Sequence, residues 1–163
     1  MNVPAPRVTG RCLWLFPLTY AVHIAEESLA GEGFHRWIHR VVGREIEPAT
    51  FVAANLALEA AMIGVVRRAT HGDGGSWAAP ALGVLTATNG LGHVAGSVAT
   101  RSYSPGAVSG ACLWVPLGAT AMLRSRRALP RRAWRAGIAT GLLLQAGVAL
   151  LGLALSRKPS SAT

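Results

Sequence analysis

Charge is what this chain has least of. Only 14% of its 163 residues are Asp, Glu, Lys or Arg, against about a quarter in a typical soluble domain. Acids are scarcer than bases, 7 against 16, which leaves a formal net charge of +9. Cysteine is nearly absent. Cys12 and Cys112 fall in two different apolar runs, so they imply no disulfide framework and read as packing residues. Several chemical signatures are missing as well. Gly72-Asp73-Gly74-Gly75 lacks the strand, helix and Lys of a phosphate-binding loop, and the HExxH zinc pattern does not occur. No nucleophile–base pair stands out; Ser97 and Ser109 read as small residues at helix contacts. No internal repeat is visible.

What is abundant is hydrophobicity, at 51% of residues. It falls into five stretches, about 12–30, 49–66, 77–100, 105–123 and 133–156, each near the ~20 residues that cross a bilayer as a helix. The expected fold is all-α: a polytopic transmembrane helical bundle of about five spanning helices, forming one membrane domain over 12–156. A short N-terminal tail (1–11) precedes it and a disordered tail (157–163) follows. Pro17 and Pro116 lie within spans and are expected to kink them.

The cations sit between the apolar runs and not on a soluble face, so the basic charge reads as topology and nucleic acid is excluded as a partner. Ten of the 16 (Arg7, Arg11, Arg67, Arg68 and the six arginines from Arg124 to Arg135) fall on one side. The other six, Arg36, Arg40, Arg44, Arg101, Arg157 and Lys158, fall on the opposite side. The positive-inside rule places the N-terminus in the cytoplasm and the C-terminus outside, in a multi-pass protein of the cell inner (plasma) membrane. The first run is not read as a signal peptide, because its second half carries His and two Glu. Between the first two spans, 31–48 is amphipathic: Phe34, Trp37, Ile38, Val41 and Val42 alternate with Arg36, His39, Arg40 and Arg44. It suits a helix lying in the interface with a Trp anchor, or a lid over the first span.

The costliest residues are in the first span, at His23-Ile24-Ala25-Glu26-Glu27. Each charge near a bilayer centre costs roughly 2.5–3.5 kcal/mol on insertion scales. At about 100° per residue, Glu27 lies near +40° and Glu26 near −60° from His23, so all three share one arc. Asn55 and Glu59 share a face of the second span, and Asn89 and His93 share a face of the third. At ~1.5 Å per residue, His23, Glu59 and Asn89 fall near the midplane. Glu26, Glu27, Asn55 and His93 fall one turn outward, with Tyr103 at the outer mouth. These groups are expected to share one cavity. The alternative is interhelical hydrogen-bond glue, which is the reading favoured for Gln145.

The HxxEE run, the later His93 and Tyr103-Ser104-Pro105-Gly106, a YxPG element, together resemble the HXXEE-motif family. The resemblance runs from the first span to the start of the fourth. It implies a bacterial, membrane-embedded protein in which enzymatic activity is suspected, and it supplies no reaction.

Three functions follow from the residues. The first is an intramembrane enzyme performing acid–base chemistry, an isomerisation or cyclisation, on a lipophilic substrate. A carboxyl in an apolar setting can hold its proton at neutral pH while a neighbouring His accepts another. The candidate catalytic residues are His23, Glu26, Glu27, His93 and Glu59, with Tyr103, Asn55 and Asn89 binding substrate. No cofactor is expected on this reading. The second is an enzyme dependent on a divalent metal such as Fe, Mn or Zn, held by His23, Glu27, Glu59 and His93. The third is a proton-linked carrier or structural subunit, for which a homodimer could supply the missing symmetry.

Overall fold

A computed structural model describes residues 10–71 and 77–157. The expectations for the tail before Gly10, the Gly-rich loop at 72–76 and the tail after Arg157 lie outside the described residues. The described residues are helical, apart from short connections and one isolated bridge between Glu45 and Arg157. The helices are α1 (Gly10–Leu13), α2 (Leu15–Leu29), α3 (Phe34–Val42), α4 (Pro48–His71), α5 (Ala78–Thr100), α6 (Ala107–Ser109), α7 (Val115–Ala128) and α8 (Arg131–Leu155). A π-helical turn, Gly110–Trp114, joins α6 to α7.

Among the described residues, three helical stretches are long and apolar enough to cross a membrane: Pro48–His71, Ala107–Ala128 and Arg131–Leu155. Two other expected spans differ, each for a physical reason. The first run is broken at Trp14 into α1 and α2. Pro17 has no N–H to offer the carbonyl of Leu13, and its ring crowds that carbonyl. The third run forms α5 at full length, but Pro80, Asn89, His93 and its small residues dilute its hydropathy. It is the central helix, with α7, α8 and the π turn packed around it. Much of its surface therefore meets protein and does not have to meet lipid.

Glycine sets how closely these helices approach. A Cβ on Gly90 would fall 2.8 Å from the Gly110 carbonyl oxygen, so α5 and the π turn meet backbone to backbone. Gly137 and Gly141 of α8 press in the same way on Pro80 and Ala81 of α5. Such small-residue contacts are how helices associate where no hydrophobic force drives them together. At the other side α4 rests on α1 and α2. Leu13, Phe16, Tyr20, Met62, Val66, Leu82 and Trp114 form a buried cluster between them.

The amphipathic segment is helical, as α3, and its tryptophan packs into the protein. Trp37 is only 6% exposed, lies against Gly96 of α5 and directs its indole N–H to Ser102 Oγ at 3.4 Å. Beyond α3, Arg44 donates to Ser156 Oγ (2.6 Å), the Ser156 carbonyl (2.9 Å) and the Leu153 carbonyl (3.3 Å). Glu45 and Arg157 exchange two backbone hydrogen bonds of 2.9 and 2.8 Å. Residues 44–45 thus strap the last turn of α8 to the start of α4.

Candidate active site

The periodicity of α2 turns His23 and Glu27 to the same inward face, and both are buried, at 1% and 6% exposure. His93 arrives from α5. Glu27 Oε1 lies 3.1 Å from His93 Nε2 and 3.6 Å from His23 Nε2. One ligating atom from each of the three residues fits within 4.8 Å of the others.

The far side of each imidazole is held by a serine. His23 Nδ1 shares a 2.7 Å hydrogen bond with Ser109 Oγ, and His93 Nδ1 a 3.2 Å bond with Ser104 Oγ. Anchoring both Nδ1 atoms turns both Nε2 atoms toward Glu27 and sets the ring orientations. The serines come from the loop and short helix that follow α5, and the backbone there is fixed by Gly106. Its φ of +97° lies in the left-handed region, which glycine adopts at no steric cost. A Cβ there would also sit 2.9 Å from Cε1 of both histidines. Trp114, carried by the π turn, stacks on His23 at a centroid distance of 3.8 Å and 25° between planes. Phe34 of α3 covers His93 with centroids 5.0 Å apart.

The adjacent carboxylates of the motif point to different partners. Glu26 turns away from the histidines and closes the turn that carries them. It accepts the backbone N–H groups of Val108 (2.9 Å) and Ser109 (2.6 Å) and the hydroxyl of Tyr103 (2.5 Å). Burial, then the Glu26 carboxylate, push the Tyr103 phenol up to about 12.

A cavity of about 530 Å³ opens from this cluster, within the size range of small-molecule sites. Tyr20, His23, Glu27, Asn55, Asn89 and His93 are among its polar lining residues. Tyr20 donates to Asn55 Oδ1 (2.9 Å), and Asn55 Nδ2 donates to the Phe51 carbonyl (3.2 Å). Asn89 Oδ1 lies beside the His23 ring but makes no well-aligned hydrogen bond. Glu26, Glu59 and Tyr103 do not line the cavity. Glu59 is half-buried, with Oε2 unpartnered. Sequence reasoning missed four residues: Ser104, Ser109, Gly106 and Trp114. Ser104 and Gly106 stood inside the YxPG element, which was the available signal. Ser109 is no mere packing residue, and Gln145 lines the cavity with its Oε1 unpartnered and does not act as glue.

The family described as "protein of unknown function with HXXEE motif" matches residues 14–121, well over half of the chain. The chain belongs to the HXXEE-motif family. The matched region holds the whole cluster: His23, Glu26 and Glu27 of the motif, then His93, Ser104, Gly106, Ser109 and Trp114. No curated protein and no solved structure gives a significant match. The family supplies no reaction, so the chemistry has to be argued from the site itself.

Proposed function

We propose that this HXXEE protein is an intramembrane enzyme that moves protons on a lipophilic substrate, in an isomerisation or cyclisation. The observation that carries this is the placement of Glu27 Oε1 3.1 Å from His93 Nε2 and 3.6 Å from His23 Nε2, at the buried end of an otherwise apolar cavity. A carboxyl and two imidazoles can hold a proton at one point and receive one at another, which is what a double-bond shift or a protonation-initiated ring closure needs. Glu27 serves as the acid, and His93 and His23 accept and orient the proton. Asn55, Asn89 and Tyr20 position the substrate. Glu26 and Tyr103 support the site through the 103–109 turn, and Glu59 stays outside it.

The setting in this reading is a bacterial inner membrane crossed five times. The spans are α1 with α2, α4, α5, α6 with α7, and α8, with the N-terminus in the cytoplasm. The test uses the protein in nanodiscs, a lipid extract and D₂O. Acid–base turnover at carbon places deuterium in a product of unchanged elemental composition. Glu27→Gln protein that is folded and still produces the labelled product would overturn the reading.

A second reading is favoured by the two Ser–Nδ1 anchors, since metal-ligating histidines have the non-ligating nitrogen held in this way. His23 Nε2, Glu27 and His93 Nε2 would hold a divalent metal with positions left open, which is the form catalytic sites take. Such a metal would act as a Lewis acid or generate hydroxide. Metal analysis of protein purified without chelator separates the two. About one Zn, Mn or Fe per chain, lost in His93→Ala, favours the metal.

A further inference from the structure

α8 touches α5 along only part of its length. Its first half is clamped by Gly137 and Gly141. From Gln145 onward its residues line the cavity instead, among them Val148, Ala149 and Gly152. The opposite wall is α4, through Ala54, Asn55, Leu58, Ala61, Met62 and Val65. α4 and α8 do not pack along one another. The two meet through the strap of Arg44 and Glu45 at one end. Both are among the stretches apolar enough to stand in a bilayer, and only 6% of the α8 window is buried. In the membrane reading the gap between them faces lipid, while Phe34, Trp37, Ile38 and Val42 of α3 line the cavity where the chain crosses from α2 to α4.

Four buried polar atoms on the lining make no well-formed hydrogen bond: Trp114 Nε1, Gln145 Oε1, and His23 Nε2 and Asn89 Oδ1, which lie beside one another with Glu27 Oε1 3.6 Å from the histidine. Orphaned buried polar groups are costly, and these four ask for a ligand that both donates and accepts. Among the described residues, Arg44 is the lining's one cation. Its guanidinium is already bound to the end of α8, and Glu27 stands at the polar end. A phosphate or diphosphate would find no free positive charge and one carboxyl.

We propose that the cavity takes a lipid alcohol sideways from the bilayer through the gap between α4 and α8. Its hydroxyl sits at the His23–Asn89 end and its hydrocarbon between the two helices. This rests on the acid–base reading of the same site and names its substrate class. The tail stays in apolar surroundings from bilayer to site, and only the hydroxyl exchanges partners.

The test is photolabelling of the full chain in nanodiscs with a diazirine analogue of farnesol, beside the matching analogue of farnesyl diphosphate. The alcohol probe is expected to label α4 and the second half of α8, and unlabelled farnesol to compete. Asn89→Ala should weaken labelling about tenfold, as expected for a lost buried hydrogen bond. Ala54→Trp and Ala149→Trp, which fill the gap from opposite walls, should abolish it in protein that elutes as a folded monodisperse species. Equal labelling by the diphosphate overturns the proposal. So does label confined to outward residues such as Leu18 and Leu143, or undiminished in both filled variants. Labelling needs no proton transfer, so the two ideas fail separately. Turnover of lipid extract without alcohol labelling removes the alcohol alone; labelling in a protein that never incorporates deuterium removes the acid–base chemistry alone.

Discussion

Glu27 Oε1 lies 3.1 Å from Nε2 of His93, while the neighbouring Glu26 carboxylate faces the backbone of Val108 and Ser109. One turn of helix thus divides the motif into a half that faces the histidines and a half that holds the 103–109 turn, and in the acid–base reading only the first handles protons. Substitutions at the two glutamates should therefore fail in different ways.

Glu27→Gln keeps the shape of the side chain and removes the group that releases or takes up a proton. Turnover should fall by about 10²–10⁴-fold, the usual worth of a positioned acid or base. Folded yield should stay close to that of the parent. Deuterium incorporation and elution profile together check this. His93→Ala should lose both activity and stability, because it also takes from buried Glu27 its nearer imidazole and from the Ser104 hydroxyl its imidazole partner.

Glu26→Ala removes the acceptor of two backbone N–H groups and one phenol. Hydrogen bonds to a charged group contribute about 1.5–3 kcal/mol each. Glu26 is half-buried, so solvent screening discounts the total, and a loss of about 2 kcal/mol is expected. Thermal unfolding in detergent measures it. Residual activity in the folded fraction should exceed that of Glu27→Gln, since the proton-carrying atoms are untouched.

The pairing was readable beforehand, but the division was not. The i, i+4 spacing places Glu27 with His23, whereas the offset of Glu26, about 60°, left it in the same arc. Depth counting likewise brought His93 to the level of Glu27. The Glu26 partners were not readable, because they are backbone N–H groups, which every residue has and no motif displays. Depth also says nothing about azimuth, which is why Glu59 matched His23 in level yet stands off the cavity. The first span was expected to kink at Pro17, and the break falls at Trp14 because Pro17 offers no N–H to the Leu13 carbonyl. The π turn went unseen because no residue pattern marks it, and Gly110 at its start is recognised only by its backbone contact with Gly90 of α5. Without that turn, neither Ser109 nor Trp114 could be assigned to His23.

Tyr103 gives the turn an optical signature. Burial and the Glu26 carboxylate push its phenol up to about 12, against about 10 for a free tyrosine. The folded state therefore keeps the proton where the unfolded state has released it. The stability this contributes is complete below pH ~10 and is lost as pH rises toward ~12. Subtracting the Tyr103→Phe absorbance titration from that of the parent isolates this phenol. Glu26→Gln should move its midpoint down, and an unmoved midpoint would argue against the contact.

Gly106→Ala tests whether the turn and the histidines form one unit. The residue sits at φ +97°, where an L side chain costs roughly 1–2 kcal/mol. The added methyl would meet Cε1 of both His23 and His93 at 2.9 Å. Neither ring can retreat freely: His23 is stacked on Trp114, and His93 lies under Phe34. The expected result is a loss of about 2–3 kcal/mol in stability, combining strain with overpacking. Activity in the folded fraction should fall at least about 100-fold, since misplacement of about 1 Å costs that much. Gly147→Ala is the control, because a Cβ at Gly147 meets nothing within 4 Å. It should leave both quantities near the parent's. If Gly106→Ala loses stability but keeps its turnover, the turn supports the fold without positioning the histidines.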